Sequence, residues 1–212
     1  MKIAVLGASG WIGNHIVKEA KSRGHEVVAL VRDVDKCDDT NIEVRQFDLL
    51  DSNADLVRAV KGVDVVISAI GGRAAGNHEI VKNTAQKLLS ELPQAGIYRL
   101  LWVGGAGALE VSPGVQLMTI PEFPAEYVPE SIALAEAFDV FCNTNSTLNW
   151  TFIAPAADIF PGEKQAPYRI GGEQLLVDEK GNCRISVSDY AVAMIDELEA
   201  GKYPNQRIAV AY

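Results

Sequence analysis

Three glycines spaced three residues apart, Gly7, Gly10 and Gly13 in the run GASGWIG, are the part of this chain that points most directly to chemistry. Such glycines let a main chain turn sharply and let an anion approach the amide groups with no Cβ in the way. They follow a short apolar run, Lys2 to Leu6, and precede helical apolar spacing through Ile12, Ile16, Val17 and Ala20. A strand, a glycine turn and a helix aim free N–H groups and a positive helix dipole at one place, which suits a pyrophosphate. Gly24 then stops the helix, and Val27 to Val31 reads as a second buried strand. That strand delivers Arg32, whose planar fork matches a 2′-phosphate. Asp33 beside it is the kind of residue that holds an NAD ribose. NADP is therefore the expected cofactor, with NAD left open by Asp33.

The elements that must position these residues alternate along the chain. Ile42 to Phe47 is a third strand candidate, and Ser52 with Asp55 reads as a capping pair for a helix through Val60. Val63 to Ala69 is a fourth strand, Asn77 to Leu92 a helix closed by Pro93, and Ile97 to Val103 a fifth strand. Ile132 to Asn143 reads as helix, Trp150 to Ala154 as a sixth strand, and Glu173–Val177 with Cys183–Val187 as a small hairpin. Ser188 and Asp189 open a last helix to Ala200, before a strand from Arg207 to Val210. The pattern predicts an α/β fold of Rossmann type, a doubly wound, mainly parallel sheet with helices on both faces. We expect one domain over residues 1–212, with a small C-terminal substrate lobe from about 108–130 and 155–188.

Ligands of open α/β sheets sit beyond the carboxyl ends of the strands. Those ends here are Gly7 onward, Arg32, Asp48, Ala69-Ile70-Gly71-Gly72 and Gly104-Gly105-Ala106-Gly107. The proline-rich stretch after Gly107 carries Leu117, Met118, Phe123 and Tyr127, which could close over a flat apolar ligand or pack on the protein itself.

Composition narrows the partners. The chain has 212 residues, 48% hydrophobic and 22% charged, with net charge −9 and pI near 4.8. This acidity argues against nucleic acid or an anionic membrane surface. Cys37, Cys142 and Cys183 are far apart and form no C-x-x-C, and His15, His25 and His78 lack metal-ligand spacing, so these histidines read as incidental and no metal is expected. No apolar run reaches spanning length, and Met1 leads straight into the first strand. A cytoplasmic protein, monomer or homodimer, is expected.

The motifs GASGWIG, VGGAG, TFIAPAADIFPGE, YRIGGEQLL and SVSDYAVAMIDELE together resemble the NmrA-like, atypical short-chain dehydrogenase/reductases. Within them the chain is similar to the bacterial proteins called NADH-flavin reductases, relatives of flavin/biliverdin-IXβ reductase. The resemblance implies that Gly7, Ala8, Ser9, Gly10, Trp11, Ile12 and Gly13 wrap the pyrophosphate. It implies that Arg32 meets the 2′-phosphate, that Asp48 and Leu49 border the adenine, and that Ala69, Ile70 and Gly71 run beside the ribose. Gly104, Gly105 and Ala106 would flank the nicotinamide, Pro155 and Ala156 its carboxamide, and Phe160 the substrate, alongside Met118, Phe123 and Tyr127.

One departure matters. Short-chain dehydrogenases use a Y-x-x-x-K pair in which Lys lowers the pKa of the proton-transferring Tyr. Here Tyr98, Tyr127, Tyr168, Tyr190 and Tyr203 are followed four residues on by Trp102, Ser131, Gly172, Met194 and Arg207, and Tyr212 ends the chain. A flavin or quinone needs no such pair, because its ring is already electrophilic and takes a proton from water. The expectation is an NAD(P)H-dependent reductase of a flavin or similar small conjugated acceptor, with Tyr127, Ser131 and Tyr168 as candidates for local proton transfer. The alternatives are an NAD(P)-sensing regulator without turnover and a sugar-nucleotide epimerase or dehydratase relative.

Overall fold

The computed structural model describes residues 1–36, 41–73, 76–165 and 167–212. Cys37 lies outside them; Cys142 and Cys183 carry free thiols. Strands and helices alternate as β1 (Lys2–Leu6), α1 (Trp11–Ser22), β2 (Glu26–Val31), β3 (Glu43–Gln46), α2 (Leu56–Ala59), β4 (Val65–Ser68), α3 (Glu79–Glu91) and β5 (Arg99–Val103). A short hairpin, β6 (Glu110–Ser112) and β7 (Val115–Gln116), precedes α4 (Val128–Cys142) and β8 (Asn149–Ala154). Then come β9 (Asp158–Phe160), β10 (Arg169–Gly171), β11 (Arg184–Ser186), α5 (Val187–Ala200) and β12 (Gln206–Ala211).

Eight strands form one sheet in the order β10-β12-β8-β5-β4-β1-β2-β3. All its pairings are parallel except that of β10 with β12. A parallel sheet covered on both faces needs strands apolar on both sides, and β4 is buried at all four positions. Ile3, Val5, Ile67 and Val103 face the layer of α1 and α5; Ala4, Leu6, Val66 and Trp102 face that of α2, α3 and α4. The second layer centres on aromatic rings, with Trp102 stacked on Phe152 at 6.3 Å and edge-on to Phe141 at 5.3 Å. The chain leaves β1 towards β2 and returns to lay β4 on its other side. Strand order therefore reverses at β1 and β4, and their carboxyl ends frame the ligand crevice of this architecture.

Helix α1 is braced from behind by charge. Glu19, 6% exposed, accepts from Arg23 at 2.8 Å and pairs with Lys164 at 2.7 Å. Arg23 reaches on to Asp196 of α5 at 2.7 Å and to Glu199 at 3.0 Å. Burial raises the Glu19 carboxyl, but hydrogen bonds from Lys164 and Arg23 outweigh it and hold the group below its ordinary value. Because its folded value is depressed, this contribution is present above about pH 4.5 and is lost as pH falls through the folded value. Glu19→Gln should therefore lower the urea midpoint at pH 7 and flatten the drop between about pH 6 and about pH 3. Equal drops in both proteins would show that the pair does not contribute.

Several local expectations shift. Asp55 itself is the N-cap of α2 and accepts from Arg58 N at 2.9 Å, so Ser52 does not begin the helix. Helix α4 starts four residues before Ile132, because Pro129 occupies its first turn, where a missing N–H costs nothing. The C-terminal hairpin does not form. Asp178 builds the expected turn, its Oδ1 accepting from the amides of Lys180 and Asn182 at 2.8 Å each. The flanking segments pair elsewhere: β11 runs parallel to β9, and Leu175 N donates to Glu110 O at 2.9 Å. Turn chemistry is local, but fully buried Ile185 finds its partner strand across the fold. Among the described residues, no helix is long and apolar enough to cross a membrane.

Candidate functional site

The glycine turn after β1 is set by contact, not only by conformation. Gly7 has φ +82°, and a Cβ there would lie 2.7 Å from the carbonyl oxygen of Ala69. Gly10 N donates to Gly7 O at 3.0 Å and closes the turn. A Cβ on Gly13 would lie 2.1 Å from Gly7 O, so α1 sits directly on the turn. Gly10 caps α1 with no side-chain hydrogen bond, and the first turn has no acidic residue. The amides there and the helix dipole are left for an external anion, which is a fit to a pyrophosphate. The methyl of Ala8 is buried in the core, so only its backbone faces the turn, while Ser9, Gly10 and Trp11 are exposed and Ile12 is half-buried.

Arg32 stands exposed at the end of β2, and its guanidinium has no partner among the described residues. The carboxylate of Asp33 accepts from Asp35 N at 3.1 Å, and that of Asp48 from Leu50 N at 3.0 Å. Leu49 packs half-buried on the α2–α4 layer. This corner thus holds a guanidinium with no partner among the described residues beside two carboxylates that accept from backbone amides.

The loop after β4 and the turn after β5 complete the frame. Ala69 N donates to Leu6 O at 2.8 Å, and Ile70 packs beneath, its Cδ1 3.3 Å from the Cβ position of Gly7. At β5, Gly104 leaves its Cβ space to the ring of Phe152, Gly105 to Leu134 and Gly107 to Ser131, with Met118 next to it. These three glycines let α4 and β8 close on the turn; Ala106 packs half-buried against Leu109 and Ala154. Pro155 and Ala156 are buried at the end of β8.

Tyr127 and Ser131 lie at the start of α4, Tyr127 under the guanidinium of Arg73 at 4.2 Å and Ser131 buried against Gly107. Phe123 is half-buried in the turn before them. Phe160 stands apart, on the α5 side, between Tyr212 and the Arg184 guanidinium at 4.5 Å. Tyr168 does not join the site. Its hydroxyl donates to Asp196 in the network of Arg23, at the end of α1 opposite the glycine turn, and burial with that carboxylate raises its pKa. A proton-transfer role for Tyr168 is therefore set aside.

Two residues at this edge were not singled out. Glu130, on the first turn of α4, accepts from Gly72 N at 3.1 Å and from His78 Nδ1 at 2.9 Å. His78, read as incidental, thus sits between the β4 loop and α4. The signal available was an imidazole six residues after a strand-end Gly71-Gly72, in a chain lacking the usual Tyr–Lys acid. Two open hollows, about 650 and 470 Å³, lie towards the amino ends of β8 and β12, one lined by Leu89, Pro93 and Asn143, the other by Phe141, Trp150 and Arg207.

Comparison with known proteins places this geometry. A family model described as NAD(P)H-binding matches residues 7–198. An uncharacterized protein of Bacillus subtilis is 39% identical over 213 residues, covering 99% of this chain and 98% of that one. A solved structure from Streptococcus pneumoniae, provisionally named an NADH-flavin reductase, is 36% identical with TM-score 0.89 over 100% of this chain and 99% of that one. One from Bacteroides thetaiotaomicron, provisionally named an epimerase, is 37% identical with TM-score 0.88 over 100% of this chain and 96% of that one.

Proposed function

The chain belongs to the NAD(P)H-binding family, in its NmrA-like, atypical short-chain dehydrogenase/reductase branch, and from that premise we propose an NADPH-dependent reductase of a flavin or similar conjugated acceptor. The observation that carries the proposal is at the start of α4. Four residues after Tyr127, where the pair used by standard short-chain dehydrogenases would need a lysine ammonium, stands Ser131, buried against Gly107. Reduction of a ketone to an alcohol needs a lysine-assisted tyrosine acid, which is missing there. The reduced flavin or quinone ring is a far weaker base than an alkoxide and takes its proton from water or from an ordinary side-chain acid.

The dinucleotide supplies hydride when bound. The protein's part is to hold two flat rings at attack distance and to exclude water. The uncapped start of α1 takes the pyrophosphate, and Arg32 takes the 2′-phosphate. The turn from Gly104 to Gly107 and the loop from Ala69 to Gly72 leave the space between them. Met118, Phe123 and Tyr127 border the acceptor on the α4 side, with Phe160 on the α5 side. Residues 108–130 and 155–188 form the substrate lobe of the single domain.

Purified protein with NADPH is expected to reduce at least one of FMN, riboflavin and a simple quinone above the blank rate. Nucleotide-dependent thermal stabilisation with no oxidation against this panel would overturn the reductase and favour a cofactor sensor.

A further inference from the structure

We propose that His78 is the proton donor to the reduced acceptor and that Glu130 is its positioning residue; the inference rests on the reductase reading above. A carboxylate bonded to Nδ1 assigns the proton to that nitrogen and leaves Nε2 to exchange protons outward. Here the Glu130–His78 contact is 2.9 Å, with side-chain exposures of 17% and 33%, and Nε2 has no partner among the described residues. Glu130 is doubly held, since both of its oxygens also lie within 3.2 Å of Gly72 N. A Cβ on Gly71 would come 2.9 Å from the same carboxylate, so glycine at this position is what lets Glu130 reach the loop.

The dyad is placed where a proton is needed. It joins the loop after β4 to the first turn of α4, and the next residue, Ser131, packs on Gly107 of the β5 turn. It therefore lies between the two glycine loops, the one that would run beside the ribose and the one that would flank the nicotinamide. Around it are Glu79 in its own helix, the Lys82–Glu136 pair across α3 and α4 at 3.5 Å, and Arg73, stacked on Tyr127. The acceptor gains a hydride, that is, two electrons and one proton, as the dinucleotide is oxidised. The resulting anionic ring takes one further proton from the Nε2–H of the imidazolium, which becomes imidazole and is recharged from solvent. FMN so reaches its dihydro form, and a quinone its hydroquinone.

The test uses the full chain, with His78→Asn, at a position whose side chain makes no capping hydrogen bond to α3, and Glu130→Gln. For His78→Asn we expect kcat with FMN or a simple quinone to fall about 100-fold. Its KM for NADPH and its melting temperature should hold, and the alkaline limb of its kcat–pH profile should vanish. Glu130→Gln should lose about tenfold in kcat. In nucleotide-free protein, long-range proton–nitrogen spectra should show His78 protonated at Nδ1, with Nε2 shifting on addition of FMN. An unchanged kcat and pH profile in His78→Asn, or a wild-type Nε2–H tautomer, overturns the proton donor and leaves the reductase standing. No turnover by wild type with any acceptor overturns both.

Discussion

Gly13→Ala is expected to cost the protein both stability and its nucleotide. Replacing a mid-helix glycine by alanine ordinarily stabilises by about 0.5–1 kcal/mol. Here the new methyl would lie 2.1 Å from Gly7 O and 2.9 Å from Gly7 C, backbone atoms that cannot swing away. Either α1 lifts off β1 or the turn opens, and overpacking of this kind costs about 1–3 kcal/mol, which reverses the sign. The amides that face the pyrophosphate move with the helix, and affinity for NADPH should fall about 100-fold or more, since a shift of 1 Å at such a site has effects of that order. Gly24→Ala is the control: it sits at φ +80° with nothing within 4 Å of the added carbon, so it should be strained yet bind nucleotide normally. Thermal melts with and without NADPH read both quantities. A higher melting point and unchanged affinity in Gly13→Ala would refute the contact argument.

Arg32→Ala should separate the two dinucleotides. A charge-assisted pair between guanidinium and phosphate is worth about 1.5–3 kcal/mol, or about ten- to 100-fold in affinity. The loss should fall on NADPH alone, because NADH offers no 2′-phosphate to an arginine whose side chain has no other partner among the described residues. Equal losses for both nucleotides, or none, would remove Arg32 from the cofactor site. The neighbouring Asp33 and Asp48 are already bonded to backbone amides, which disfavours their release to a ribose.

What the sequence made legible is what is decided locally. The first strand, glycine turn and helix are found within a residue or two of where the pattern places them, because apolar periodicity and glycine chemistry act over a few positions. The parallel sheet follows from strands too apolar to leave a face in water. Pairings between distant segments were not legible. Strand β9 was not anticipated, β11 took it instead of its sequence neighbour, and antiparallel β10 appeared at the edge beside β12. The same holds for the site: Glu130 and His78 are 52 residues apart, and neither has a local pattern that announces the other. Even Pro129, read as part of a loop, serves the opposite purpose by starting the helix that carries Glu130.

The brace behind α1 has a consequence for how the protein is made. Arg23 grips Asp196 and Glu199, residues more than 170 positions later, so the helix that follows the glycine turn lacks its support until α5 exists. During synthesis the glycine turn is made well before α5, and the far end of α1 is braced only once α5 has followed it. Contacts this distant slow folding, because loop closure must come before they contribute. A chain that has not yet docked α5 should therefore bind nucleotide poorly, so competence for the cofactor reports that α5 is in place.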